Sequence, residues 1–406
     1  MKLKAVRFVG SVGGLSSSSS SFLRLPPRFF LFPHQRPRSI SSSAALSSVP
    51  RLRLSSSSTT WPPTSHSHSH SHSLLPQLPL FLRPPKYAAS LSDLQIWHDW
   101  AKSLAASVGS TFLDSDNGPH SSLLCRELGW LLEDALPEGT DPSSLLSQMR
   151  LGAPTDRVKL KVGIRDLYSL WRRRIEERRP FQYIVGCEHW RDLVLSVQEG
   201  VLIPRPETEI LVDLVADAVV SKVNARLNDR VWADLGTGSG AIAIGIARAL
   251  GSGGCRKVIA TDLSSVAAQV ASFNVQRYGL QDIIEVREGS WFEPLKEFQG
   301  KLTGLVSNPP YIPSMNIPGL QAEVGKHEPR LALDGGADGL DDLLHLCHGA
   351  ASMLRPGGYF AFETNGERQC KFLVDYMENE LKGSFLDIQV VSDFAGFQRF
   401  VTGFRQ

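Results

Sequence analysis

Between residues 92 and 178 apolar positions recur at helical spacing. Leu94, Ile96, Trp97, Trp100 and Leu104 form one stripe, and Leu123, Leu124, Leu128, Leu131 and Leu132 another. Leu167, Leu170 and Trp171 lead into the charged run Arg172–Arg179, which Pro180 ends. A small helical domain is predicted here. The texture then changes. Phe181–Val185 and Leu193–Val197 are short β-like runs with turn residues between and after them, and predict a hairpin linking two domains. A helix through Ala218 should follow, with Pro206 in its first turn and Glu207 and Glu209 near its positive end. From Arg230 strands and helices alternate. Strands are expected at Val231–Leu235, Val258–Thr261, Ile283–Arg287, Leu302–Ser307 and Tyr359–Glu363. Helices are expected at Ala241–Leu250, Ser265–Tyr278 and Leu340–Leu354, and after the Tyr359–Glu363 strand to about Leu381, before two late strands near Leu386–Val391 and Arg399–Thr402. Such alternation predicts an α/β fold with a doubly wound, mostly parallel sheet. Ligands of such sheets bind beyond the carboxyl ends of the strands.

Two strand ends at that edge carry candidate chemistry. Leu305–Ser307 runs into Asn308-Pro309-Pro310-Tyr311, where two prolines forbid continuation of a central strand. The Asn308 amide and the following carbonyls are therefore turned out of the sheet, where two acceptors can hold a planar amino group by both hydrogens. Tyr311 offers a ring for a flat group. Alone, these residues read more readily as a Pro-Pro turn with a structural Asn. The second loop is Asp234-Leu235-Gly236-Thr237-Gly238-Ser239-Gly240, between a strand and a helix. Its glycines let the backbone turn tightly towards a ligand at the helix N-terminus. Gly236-x-Gly238-x-x-Ala241 also satisfies a loose dinucleotide pattern, and the absence of a following Lys excludes a P-loop. An acid at Asp234 suits a ligand with a positive amino group better than a pyrophosphate. Asp262, ending the next strand, can accept both hydroxyls of a ribose. In this order the set predicts a nucleoside cofactor.

Charge changes the picture at the N-terminus. Residues 1–92 hold eleven Lys or Arg and no Asp or Glu, so the formal +2 of the 406-residue chain hides a remainder of 32 basic against 41 acidic residues, about −9. A nucleic-acid-binding enzyme usually shows a basic footprint, and this is the wrong sign. The Ser runs at Ser16–Ser21, Ser41–Ser43 and Ser55–Ser58, with Arg and without acids or an apolar stretch, have the composition of an organelle transit peptide. His66, His68, His70 and His72 alternate within it. No stretch approaches a membrane span. The five cysteines are scattered, which fits a reducing interior and predicts neither disulfides nor zinc. His345, Cys347 and His348 fall in a helical pattern and are read as structural, so no metal is expected.

At this point the residues resemble a family. Asp234–Gly240 with Asp262 is similar to the S-adenosylmethionine site of class I methyltransferases, and Asn308–Tyr311 to the NPPY motif of members that methylate an amide or exocyclic amino nitrogen. Ile203-Pro204-Arg205-Pro206-Glu207-Thr208-Glu209, Glu328-Pro329-Arg330 with Leu333, Gly335-Gly336-x-Asp338-Gly339-Leu340, and Gly357-Gly358 before the strand to Glu363 resemble HemK/PrmC, the release factor glutamine N5-methyltransferases. The resemblance covers about residues 92–406. It implies a Rossmann-like, mostly parallel seven-stranded sheet. The domains would be a transit or disordered segment 1–88, a helical substrate-recognition domain 89–179, a hairpin linker 180–205 and a methyltransferase domain 206–406. Gly236, Thr237, Gly238, Ser239 and Gly240 would cradle the methionine part of S-adenosylmethionine with Asp234 beside them. Asp262 would hold the ribose, and Trp291 would lie near the adenine. Asn308 and the Pro309 carbonyl would accept hydrogen bonds from the substrate amide, with Pro310 also binding the substrate, Tyr311 packing against it, and Asn308 also touching the cofactor. Ser290 departs from the Asp that many relatives carry before that tryptophan. The implied substrate is the Gln of the Gly-Gly-Gln loop of an organellar class 1 peptide chain release factor. The enzyme is expected to be a monomer without stable nucleic-acid binding or a membrane span, in a chloroplast ahead of a mitochondrion. An adenine-N6 RNA or DNA methyltransferase and a ribosomal-protein glutamine methyltransferase remain as alternatives.

Overall fold

The computed structural model describes residues 76–151, 157–220 and 230–406. The serine runs and alternating histidines lie outside them, as does the segment expected to be a transit peptide up to residue 75.

The first unit is helical and is stitched by a short ladder. β1 (Tyr87–Ser90), α1 (Leu91–Ser107), α2 (Thr111–Asp116), α3 (Ser121–Ala135), α4 (Pro142–Leu151), β2 (Arg157–Leu160) and α5 (Ile164–Glu176) make it up, with β1 antiparallel to β2. The apolar stripes read from spacing face one core, with Leu94, Trp97, Leu124, Leu131 and Trp171 fully enclosed, except that Ile96 turns out of the stripe and is 62% exposed. The boundary expected at residue 88 moves towards the N-terminus. Leu80 is 1% exposed in that same core, and Lys161 Nζ donates to the Phe81 carbonyl at 2.8 Å.

Phe181–Val185, expected as a strand, is the short helix α6. Pro180 opens it, and Gly186, at φ 81°, closes it with its N–H on the Gln182 carbonyl. A fully apolar pentapeptide has no period of its own, so its flanking Pro and Gly decide. The hairpin follows as β3 (Cys187–Trp190) and β4 (Leu193–Ser196). Pro206 likewise sits one turn early. Residues 205–208 form a turn, and α7 (Glu209–Val220) starts at Glu209.

The second unit is β5 (Arg230–Leu235), α8 (Ala241–Gly254), β6 (Cys255–Asp262), α9 (Ser265–Arg277), β7 (Ile284–Glu288), β8 (Leu302–Ser307), α10 (Ala322–His327), α11 (Asp341–Met353), β9 (Leu354–Glu363), α12 (Glu367–Asn379), β10 (Phe385–Ser392) and β11 (Gln398–Arg405). The seven-stranded sheet runs β10-β11-β9-β8-β5-β6-β7, parallel from β7 to β9, with β11 and β10 antiparallel at one edge. Connections reverse direction between β5 and β8, which makes their shared carboxyl end the switch point where such sheets bind ligands. Every residue of β8 is buried. Gly304 is required there, because a Cβ would come within 2.0 Å of the Trp232 ring on β5.

The two units meet through buried charges. Arg174 on α5 donates to Glu127 on α3 at 2.7 Å and to Glu323 on α10 at 3.0 Å. Arg178 binds the other Glu323 oxygen at 2.5 Å and Asp116 at 3.0 Å. Burial would raise the Glu323 carboxyl, but the two guanidinium groups hold it below the ordinary carboxylate range. Removing one partner leaves a desolvated charge behind. Arg174→Met is therefore expected to lower unfolding stability by about 3–5 kcal/mol in urea titration. Replacing Glu127, Arg174, Arg178 and Glu323 together by apolar residues should cost less than that single change.

Candidate active site

A cavity of about 210 Å³ opens beyond the carboxyl ends of four adjacent strands. Its wall takes Asn308 and Pro310 from β8, Gly236–Ser239 from β5, Thr261–Ser264 from β6 and Gly289–Trp291 from β7. Leu202, Pro204 and Thr208 close one side, Pro329, Leu331 and Ala332 another, and Asp342 of α11 a third. Of the predicted residues, Gly236, Thr237, Gly238, Ser239, Asp262, Trp291, Asn308 and Pro310 line this space. Asp234, Gly240, Pro309 and Tyr311 do not, and each has a different place.

Asp234 is completely enclosed beneath the glycine loop. Its Oδ2 accepts from Thr237 Oγ1 at 2.7 Å and from the Ala243 N–H at 3.0 Å, so it ties the loop to the first turn of α8. Burial pushes its carboxyl up to about 7. Gly240, at φ 83°, brings the loop against Ala271 of α9. Pro309 is buried. Tyr311 packs beside Ile312 and Leu333, with its hydroxyl turned to Glu363.

Asp262 stands at the wall, with Oδ1 on the Ser264 N–H at 2.9 Å and Oδ2 on the Gly238 N–H at 2.8 Å. Desolvation raises its carboxyl above the ordinary range, a penalty that further donors would relieve. Trp291 holds φ 40°, uncommon for a residue with a side chain, and its ring would touch a Cβ at Gly236 at 3.8 Å. Any side chain at Gly236 would thus fill the space between the loop and Trp291. His345, Cys347 and His348 serve packing. His345 lies 5.4 Å from the Phe292 ring, Cys347 is fully buried, and His348 bonds the Tyr376 hydroxyl at 2.8 Å.

Thr208 and Glu363, to which the sequence motifs assign no chemistry, lie beside Asn308. Asn308 Nδ2 donates to Thr208 Oγ1 at 3.1 Å. Thr208 Oγ1 donates to Glu363 Oε2 at 2.8 Å, and Tyr311 Oη donates to Glu363 Oε1 at 3.0 Å. Glu363 is wholly buried, and desolvation pushes it up to about 7. Both carried a signal. Thr208 lies inside the Ile203–Glu209 segment, and Glu363 ends the strand beside β8.

The wall's chemistry discriminates between cofactors. Among the described residues it contains Asp262 and Asp342 and no Lys, Arg or His. A dinucleotide's pyrophosphate would face two carboxylates and no cation, whereas a sulfonium and a diol are matched to them. Ser239, 2% exposed, lines the cavity with a hydroxyl that has no partner. These residues fit S-adenosylmethionine. A second cavity, of about 370 Å³, lies on the helical unit, where Arg83, Lys86, Lys161, Arg173 and Arg179 surround Asp166.

Strand order, glycine loop and strand-end acid define a class I S-adenosylmethionine-dependent methyltransferase. The family model for the methyltransferase small domain matches residues 209–319. The chain is 44% identical over 254 residues to a release factor glutamine methyltransferase of Gloeobacter violaceus, covering 63% of this chain and 83% of that one. It is 39% identical over 276 residues to that of Synechocystis sp., covering 68% and 88%, and 40% identical over 245 residues to that of Thermosynechococcus vestitus, covering 60% and 81%. The chain belongs to the release factor glutamine methyltransferase family.

Two predictions follow from the wall and the acid beneath it. Asp262→Ala removes a charged acceptor, and should raise the S-adenosylmethionine Kd by about 10- to 100-fold in calorimetric titration. For Asp234 the folded pKa lies above the unfolded value. The stability it contributes is complete below about pH 4 and lost as pH rises to about 7. Over that window the wild type should lose urea stability relative to Asp234→Asn. Parallel stability curves would contradict a desolvated carboxyl.

Proposed function

We propose that the protein methylates the side-chain amide N5 of the Gln in the Gly-Gly-Gln loop of an organellar class 1 peptide chain release factor, acting as a monomer. The observation that carries this reading is the fixed Asn308 amide at the carboxyl end of β8, with its nitrogen engaged by Thr208. Family membership supports the choice of a release factor. The cyanobacterial relatives and the Ser- and Arg-rich, acid-free segment 1–92 together support a plastid over a mitochondrion.

The roles would divide as follows. Gly236, Thr237, Gly238, Ser239 and Gly240 with Asp234 form the cradle for the methionine moiety, Asp262 holds the ribose and Trp291 borders the adenine. Bound there, S-adenosylmethionine supplies an electrophilic methyl whose departure leaves a neutral thioether. An amide nitrogen is a poor nucleophile, since its lone pair is delocalised into the carbonyl. Positioning must therefore supply much of the rate. Asn308 Oδ1 and the Pro309 carbonyl accept the two amide hydrogens and stabilise the positive charge that grows on nitrogen. Pro310 sets the turn, and Tyr311 backs the amide plane. No His, Cys or Lys lines the described wall, so no side chain there is placed as a nitrogenous base. Methylation itself acidifies the nitrogen, and its proton leaves to water afterwards.

Label from S-adenosylmethionine should pass to a purified organellar release factor and not to total RNA. Label on RNA alone would overturn the proposal and make Asn308–Tyr311 an adenine site, and label on a ribosomal protein alone would redirect it. Asn308→Ala should lower kcat by about 100-fold or more while changing the cofactor Kd by no more than about threefold. Unchanged turnover would contradict the assigned role.

A further inference from the structure

The two ends of an asparagine amide have the same shape and opposite hydrogen-bonding character. Only the oxygen can accept from a substrate N–H. Which end faces the cavity is therefore a chemical question, answered by whatever binds the other end.

Thr208 supplies that answer, because a hydroxyl has a single hydrogen. An ionised Glu363 is acceptor-only, so the Thr208 hydrogen must point to Glu363 Oε2, at 2.8 Å. Towards Asn308, Thr208 Oγ1 can then only accept. The Asn308 NH2 must face Thr208, at 3.1 Å, and Oδ1 is left for the cavity. Tyr311 spends its hydrogen on the other Glu363 oxygen, at 3.0 Å, which fixes the carboxylate plane and the ring together.

We infer, taking the amide-methylating function above as given, that Thr208 and Glu363 are positioning residues. They hold Asn308 with its oxygen towards the substrate and make the site an acceptor only while Glu363 is ionised. A protonated Glu363 could donate to Thr208. The Thr208 hydrogen would then be free for Asn308 Oδ1, the amide could turn over, and its NH2 would meet the substrate NH2.

The surroundings set the window for this change. Burial is the largest influence on Glu363, Glu207 raises it further, and hydrogen bonds from Thr208 and Tyr311 and the charge of Arg399 on β11 oppose both, leaving it at about 7. Arg399 is itself held by Asp393 at 3.1 Å. Because the active form is the ionised one, activity should fall as pH drops through the Glu363 pKa.

The test is steady-state kinetics of the full chain with a release factor substrate, from about pH 6 to pH 9, beside calorimetric binding of S-adenosylmethionine. Thr208→Val keeps the shape and removes the hydroxyl. It should lower kcat by about tenfold or more, with the cofactor Kd within about twofold of the wild type, which also reports a folded site. Thr208→Ser restores the hydroxyl and should recover most of the lost kcat. Glu363→Gln should lose the acidic fall-off seen in the wild type. Equal kcat losses in the Val and Ser variants would overturn the inference, as would an unaltered acidic limb in Glu363→Gln. A wild type that leaves the release factor unmethylated at every pH would count against the proposed function instead, and is distinguished by that result alone.

Discussion

The whole site depends on how β8 ends. A strand buried on both faces between β5 and β9 has its backbone satisfied by its neighbours until Pro309 and Pro310 remove the next two donors. The chain must leave the sheet there, at the switch point, one register step from the glycine loop. Register makes the placement exact to a residue: Ser307 lies opposite Leu235 and Phe362, and its hydroxyl binds the Leu235 carbonyl at 2.7 Å. Asn308, Gly236 and Glu363 thus arrive at one edge as a consequence of pairing, before any cofactor is considered.

Electrostatics then sorts the edge into two environments. Asp262 and Asp342 face an open wall that lacks cations and favours a positive ligand. Asp234 and Glu363 are sealed beneath it, where desolvation raises both carboxyls and hydrogen-bond donors hold both in place. One sealed acid ties down the glycine loop, the other reaches the Asn308 amide through Thr208. The Glu127–Arg174–Glu323–Arg178 network ties α10, which follows the Asn308 turn, to the helical unit. Arg205, in the segment after β4, pairs with Glu328 at 2.7 Å beside the cavity wall.

Much of this was legible in the residues. Leu302–Ser307 has the observed bounds, and the strand-helix alternation yields the parallel sheet, because apolar runs of that length bounded by Gly and Pro have few other solutions. The Pro309-Pro310 turn and the glycine loop were legible for the same reason, since each breaks a local rule of chain continuation. Phe181–Val185 was not, because five apolar residues carry no period and the Pro180 and Gly186 caps outweighed β propensity. Asp234 read as facing a ligand, since position at a strand end does not say which side the carboxylate takes. Thr208 and Glu363 lie 155 positions apart and become partners only through the fold. Leu80 was masked by the composition around it, as one buried side chain does not alter the character of a Ser- and Arg-rich stretch.

Fragmentation mass spectrometry of a release factor treated with the enzyme and S-adenosylmethionine tests the central claim most directly. A single methyl on the side-chain nitrogen of the Gly-Gly-Gln glutamine is the result that an acceptor-lined edge predicts. A methyl on a carboxylate, a lysine or another residue, with that glutamine unmodified, would contradict the account, because none of those groups needs the paired acceptors proposed for Asn308 and Pro309.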